Sequence, residues 1–326
     1  MNREKIRLLL ITATVLFLAW LVFHLPVGGN LVVFLWVAGN ILLWAQGGPV
    51  PFFVSQGATA LSAWTAGVEI KDLVLFLLLY AFPAAVGGRE LKREDKIRLL
   101  RVPGAVALAV LTAVLFLVFW DQEKMAAIKT NFFVRPEEVL VQLQQSGMVN
   151  LLGQKGASTE DLQTLAEEIS RFLATFYYLL PGFSVVWQSL FILAAFYFAA
   201  YVFRRWSAER VGQFPAFSSW RLSWPFLWLF IAGIILELAG SYFSLFTVQT
   251  LGRNLLVVAV PLFIAAGGAV LAGLWQQGRL GRGMKVFLVL IGVLLPQGLL
   301  ILLLLLGLFD PYVDFRRRRS GGTIGG

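Results

Sequence analysis

The chain has 326 residues, 59% of them hydrophobic and 14% charged, whereas a soluble globular domain carries about 45–50% apolar and about 25% charged residues. That composition excludes a soluble enzyme. The 27 Lys and Arg against 18 Asp and Glu, a net charge of +9, point to a membrane surface and not to nucleic acid, because the basic residues sit between long apolar runs. No cysteine and a single histidine leave no disulfide, thiolate site or histidine cluster, so neither a metal nor a cofactor is expected.

A bilayer core of about 30 Å needs about 20 apolar helical residues. Runs bounded by charge, Pro or Gly then predict nine membrane segments, at 8–25, 30–46, 52–67, 72–87, 102–120, 184–203, 225–246, 254–275 and 286–309. The fold class is therefore all-α, a polytopic transmembrane helix bundle of eight to nine segments. The first run follows Arg3, Lys5 and Arg7 without a small-residue cleavage pattern and reads as a retained signal-anchor. The second to fourth are rich in Gly, Pro and small polar residues, as expected of tilted or broken helices packed inside a bundle.

Lys and Arg resist translocation, so basic loops mark the cytoplasmic side. The N-terminus, loop 88–101 with Arg89, Lys92, Arg93, Lys96, Arg98 and Arg101, and loop 204–224 with Arg204, Arg205, Arg210 and Arg221 agree with one another. Three further spans would strand Arg316, Arg317, Arg318 and Arg319 outside. Either the last run, interrupted by Pro296-Gln297-Gly298, is re-entrant or broken, or the basic tail is an exception. The organisation that follows is an N-terminal set of helices at 1–120, an extracytoplasmic helical loop at 121–183, a C-terminal set at 184–315 and a basic, compositionally disordered tail at 316–326.

The long loop lies between the fifth and sixth spans. After Ser158, Thr159 and Asp161, the residues Leu162, Leu165, Ile169, Phe172 and Phe176 recur at helical spacing opposite Glu160, Glu167 and Glu168, an amphipathic helix. A weaker one starts at Pro136 with Glu137 and Glu138 ahead of Val139, Leu140 and Leu143. Such helices lie on the outer leaflet or cap the bundle, or else form a lid or docking surface.

Glu237 is the sharpest single signal, because an ionised carboxylate near the middle of span 225–246 must be paired, hydrated or protonated. Gly233, Glu237, Gly240, Ser241 and Ser244 share a face at helical spacing. They read either as a contact for a cation, proton or polar substrate group or as interhelical glue. Ser55, Thr59 and Ser62, with Gln56 beside them, form a second stripe suited to close packing or to lining a ligand site. Asn30, Asn40, Gln46, Gln188 and Gln297 are further amides at membrane depth or its edge, expected to bond between helices; Asn40 joins Glu237, Ser241, Ser55, Thr59 and Ser62 as a candidate ligand contact. His24 beside Pro26 reads as an interfacial side chain or a proton relay, and Trp20, Trp120, Trp206, Trp220 and Trp224 as an interfacial aromatic belt. No nucleotide-binding, serine-hydrolase or zinc-protease motif occurs.

Two C-terminal passages carry a resemblance. The closing Leu306-Gly-Leu-Phe-Asp310-Pro-Tyr-Val-Asp314-Phe-Arg316-Arg-Arg and the approach to the seventh span, Phe217-Ser-Ser-Trp220-Arg221-Leu-Ser-Trp-Pro225, resemble the YybS-like family of bacterial membrane proteins of unknown function. That family similarly has a compact N-terminal helix set, an outward helical insertion before the sixth span and a closing Gly-x-x-Asp-x-x-x-Asp-Phe-Arg pattern. It departs here in typically placing proline sooner after the Arg-Leu pair. The family is distantly similar to the substrate-capturing subunits of energy-coupling-factor transporters and to the cell-shape protein MreD. The resemblance implies small-residue helix faces that dock a membrane protein partner and, in the transporter case, a small-molecule ligand held inside the bundle, and it transfers no ligand residues. By residue chemistry, Asp310, Asp314, Arg316 and Arg317 form a salt-bridged helix end on anionic lipid or a partner-docking motif.

The expectation is thus a multi-pass protein of the bacterial inner membrane with a cytoplasmic N-terminus, not an enzyme, that binds or transports a small molecule. The alternative is a scaffold for cell-envelope or morphogenesis machinery. Its partners are the lipid bilayer, a membrane protein and a small molecule, with no nucleic acid.

Overall fold

The computed structural model describes residues 3–24, 29–92, 98, 100–149, 158–206, 215–313 and 315. Among these are twelve helices and no strand: α1 Arg3–His24, α2 Gly29–Gly47, α3 Pro49–Thr65, α4 Ile70–Leu91, α5 Arg101–Trp120, α6 Gln122–Phe132, α7 Pro136–Gln145, α8 Thr159–Trp206, α9 Pro225–Tyr242, α10 Phe246–Gln276, α11 Arg282–Leu294 and α12 Pro296–Val313. Eight are long and apolar enough to cross a membrane: α1, α2, α4, α5, α8, α9, α10 and α12. At 17 residues α3 and at 13 residues α11 are shorter. Lipid is the natural solvent of this surface, since Leu9, Phe17, Leu31, Phe53, Leu108, Leu111, Trp187 and Leu190 are all exposed and a soluble protein rarely shows so much contiguous apolar area.

The described residues fall into two compact units, one from 3–92 and 98–206, the other from 215–315. In the first, α2 is the central helix and packs on α1, α3, α4 and α8. It has no polar face to give to solvent, and its Trp36, Val37, Ile41 and Leu43 are fully buried together with Ile192, Phe196 and Phe203 of α8. The Arg7 guanidinium donates to the Trp206 carbonyl, so the start of α1 and the end of α8 share one end of this unit. At the other end, Lys124 pairs with Asp72 while Asp121 caps α6 by accepting from the Lys124 amide (3.2 Å) and lies 3.9 Å from the Lys71 ammonium.

Inside α4, Leu77–Ala81 winds as a π-turn just ahead of Pro83. Proline has no N–H to return to the carbonyl four residues back, which here belongs to Leu79, and such widened turns absorb the missing bond. Gln188 of α8 supplies the donor, its Nε2 lying 3.1 Å from the Leu79 oxygen.

The segments expected separately at 158–176 and 184–203 are one continuous helix of 48 residues, carried through Pro181. At about 1.5 Å per residue it is about 70 Å long, more than twice the apolar thickness of a bilayer. Its charged first half meets α7, and Val139, Leu143 and Ala166 form a small core there with Val134, Leu140, Leu165 and Ile169 packed against it. Leu165 and Ile169 of the expected stripe are covered in this way, while Phe172 stays exposed.

In the second unit α9 and α10 form an antiparallel pair, and α12 lies across α10. Helix α9 ends at Tyr242, earlier than residue 246, because Ser244 takes a left-handed conformation (φ 55°) and the Leu245 amide turns back to the Gly240 carbonyl at 2.8 Å. The α10–α12 crossing is made by two glycines: a Cβ on Gly267 would overlap the Leu303 carbonyl, and one on Gly307 the Phe263 carbonyl. The final run is broken at Leu295 into α11 and α12. Arg279, after α10, donates to the Phe315 carbonyl at 2.7 Å, and Trp224, before α9, stacks edge-on against Tyr312 at 4.8 Å. The end of α12 is therefore at the same end of this unit as the start of α9 and the end of α10. Of the two options left open by the basic tail, a broken run is the one found.

Candidate functional site

The candidate residues separate by unit: Asn40, Ser55, Thr59 and Ser62 belong to the first, Glu237, Ser241, Asp310 and the tail to the second.

In the first unit, α2 and α3 run back to back and place Asn40 opposite Ser55 and Gln56. Asn40, Ser55 and Thr59 are fully buried and Ser62 nearly so. Asn40 Oδ1 accepts from the Ser55 hydroxyl at 2.5 Å and from Gln56 Nε2 at 2.8 Å, and its own Nδ2 donates to the Trp36 carbonyl at 2.9 Å. Thr59 bonds within α3 to the Ser55 carbonyl (2.8 Å), whereas Ser62 reaches α1 at the Ala19 carbonyl (3.2 Å). The expected stripe thus comes together with Asn40 as one amide and hydroxyl cluster, with Ser62 set apart as a tie to α1. Two buried polar atoms of Trp36 and Gln56, Nε1 and Oε1, have no partner among the described residues. Trp36 lies one helical turn from Asn40 on the same face of α2. Sequence reading passed over it as one tryptophan among eleven.

In the second unit, Glu237 lies five residues before the end of α9 (242 − 237 = 5), about one helical turn past the middle of the helix. Both its carboxylate oxygens are 3.1 Å from Arg253 Nε, and Gln249 Nε2 donates to Oε1 at 3.1 Å. The pair is partly open: 26% of the Glu237 side chain and 40% of that of Arg253 are exposed. Gly252 permits the contact, since a Cβ there would overlap the Glu237 backbone nitrogen. Gly233 and Gly240 are buried against α10, while Ser241 is exposed and Ser244 is in the turn, so the expected single face divides. Arg253 was the missed partner. Its signal is symmetry about the turn, for Glu237 and Arg253 stand equally far from Leu245 (245 − 237 = 253 − 245 = 8).

A second missed residue is the acid Glu90, 1% exposed at the end of α4, which accepts from Arg101 Nη1 at 2.7 Å and from the Arg98 amide at 3.2 Å. His24 stacks on Trp20 with ring centroids 4.8 Å apart and Nδ1 2.9 Å from the Trp20 carbonyl. Asp310 is buried on α12. Asp314, Arg316 and Arg317 lie outside the described residues.

No curated protein and no solved structure matches the chain. A family model does, over residues 11–311, and its description is a predicted membrane protein, DUF2232. The eight apolar helices agree with that description, and the chain belongs to this family of membrane proteins.

Proposed function

We propose that the chain is a non-enzymatic, small-molecule-binding or transport-type component of the bacterial inner membrane, with its N-terminus in the cytoplasm and its polar locus at the Asn40 cluster. The observation that carries this reading is the pair of buried, unpartnered atoms, Trp36 Nε1 and Gln56 Oε1. A buried polar atom without a partner costs about 1–3 kcal/mol. A donor and an acceptor left open on either side of Asn40 favour a molecule that offers both. The resemblance to YybS-like proteins, and through them to substrate-capturing transporter subunits, supports the same reading at the level of fold alone.

The test is a thermal-shift screen of the purified protein against vitamins, metabolites and lipids, run beside Trp36→Phe and Gln56→Leu. One chemical class should raise the melting temperature of the wild type and lose that effect in both variants. A stabilising compound to which both variants respond fully would remove the Asn40 cluster from the proposal.

A second reading, a scaffold for envelope or morphogenesis machinery, is favoured by the α7–α8 core, which gives the chain a folded projection suited to contacts beyond the lipid. Cross-linking from Gln144 in whole cells that recovers envelope-synthesis proteins, with no phenotype from Gln56→Leu, would select it over the first.

A further inference from the structure

A separate concentration of charge lies where α10 gives way to α11. From Leu238 to Phe309 the sequence has no Asp or Glu, yet Arg279, Arg282 and Lys285 follow one another at intervals of three. The end of α10 fixes the first of them. Gly278, at φ 68°, closes the helix with its amide on the Trp275 carbonyl (3.1 Å), and the Arg279 amide bonds the Leu274 carbonyl (3.1 Å). One guanidinium nitrogen of Arg279 is committed to the Phe315 carbonyl, leaving further donors in a rigid fork. Arg282 and Lys285 share a face of the first turn of α11, and the Lys285 ammonium sits 4.8 Å from the centre of the Trp275 ring. Among the described residues, no carboxylate pairs with any of the three.

We propose that Arg279, Arg282 and Lys285, with Trp275 beside them, bind the phosphate of an anionic phospholipid headgroup. A lipid fits better than a free anion because of what adjoins the cations. Phe287, Val289, Leu290, Val293 and Leu294 of α11 are all exposed, an apolar flank along which acyl chains lie once the headgroup is held. At 13 residues, α11 is about 20 Å long, too short to span, so its basic start stays at headgroup depth while its other end is within the hydrocarbon. An exposed tryptophan next to a lysine is the usual composition of that depth. The four arginines that follow Phe315 in the sequence add charge of the same sign.

The experiment measures thermal unfolding of the purified full-length protein in neutral detergent with added phosphatidylglycerol, phosphatidylcholine or inorganic phosphate. Phosphatidylglycerol should raise the midpoint and the other two should leave it unchanged, and the rise should shrink as salt increases. Arg282→Gln with Lys285→Gln should lose most of the rise; Arg279 is left intact because it holds Phe315. An equal rise from phosphatidylcholine, a rise from inorganic phosphate alone, or a double variant that responds like the wild type would overturn the proposal. Should the double variant not fold, native mass spectrometry of Arg282→Gln replaces it. Fewer co-purified phosphatidylglycerol molecules than on the wild type support the site, and an unchanged number refutes it.

Discussion

The proline in α4 and the glutamine in α8 make a closed test of how this bundle is held together. Pro83 leaves the Leu79 carbonyl without its helical donor, and Gln188, 8% exposed, fills the place from the neighbouring helix. Gln188→Leu keeps the volume and removes the donor. An orphaned buried carbonyl costs about 1–3 kcal/mol, while interhelical hydrogen bonds within membranes average about 0.6 and reach about 1.7 kcal/mol. Leucine also recovers some apolar burial, so the expected loss is about 1 kcal/mol. Pro83→Ala returns an N–H to the chain four residues after Leu79 and leaves the glutamine only its hydrogen bond with the Tyr80 side chain. In that background Gln188→Leu should cost about 1 kcal/mol less than in the wild type, the loss of the Tyr80 bond being common to both. Whatever Pro83→Ala does by itself cancels from the cycle. Equilibrium unfolding of the four proteins in mixed micelles titrated with sodium dodecyl sulfate reads it directly. Additivity within about 0.3–0.5 kcal/mol would show that the carbonyl has another donor and that the argument from proline is wrong.

Gly267→Val should cost about 3 kcal/mol or more in the same unfolding assay, because the clash is with the Leu303 backbone and not with a side chain that can turn away, whereas Gly57→Ala, where nothing lies within 4 Å of a Cβ, should be neutral. Glu237→Ala should lower stability because it leaves Arg253 without its carboxylate, and Glu237→Ala with Arg253→Ala should cost less than the sum of the single changes. The absence of native cysteine allows single-cysteine topology mapping with an impermeant maleimide. Leu280→Cys and Gly322→Cys should label from the same side and Phe243→Cys from the opposite one; Gly322→Cys labelling with Phe243→Cys would contradict the placing of α12.

Apolar length made the helices legible, because about 20 such residues have one stable conformation in lipid. What it left undetermined was where a helix stops. The predicted segment 184–203 was correct as the apolar part of α8, yet the charged residues before it continue the same helix through Pro181, since α7 covers their apolar stripe and removes any reason to break. Hydropathy measures the solvent around a segment and says little of a helix that passes from one solvent to another. The polar stripe at Ser55 and Thr59 was readable from spacing alone. Its union with Asn40 was not, because that depends on the register of α3 against α2, which small residues leave open.

Glu237 and the basic tail expose the same limit from opposite directions. The carboxylate raised the question of what neutralises it, and the tail that of how the last apolar run is built; both answers lie in antiparallel pairing. Reversal around Leu245 brings Arg253 to Glu237, so a charge that looked costly by position has its partner on the next helix, close to the turn. Reversal at Leu295 brings Phe315 back to Arg279, so an odd number of apolar runs is compatible with basic residues on one side. In each case an arginine finds its acceptor across a turn, a carboxylate for Arg253 and a backbone carbonyl for Arg279. Intramembrane charge in such a chain is therefore evaluated by reflecting the sequence about each turn and asking what stands opposite, before any ligand is invoked. Across the turn at Gly48 the same operation pairs Gln56 Nε2 with Asn40 but leaves Gln56 Oε1 and Trp36 Nε1 open, and that is why the Asn40 cluster, and not the conspicuous Glu237, carries the case for a bound molecule.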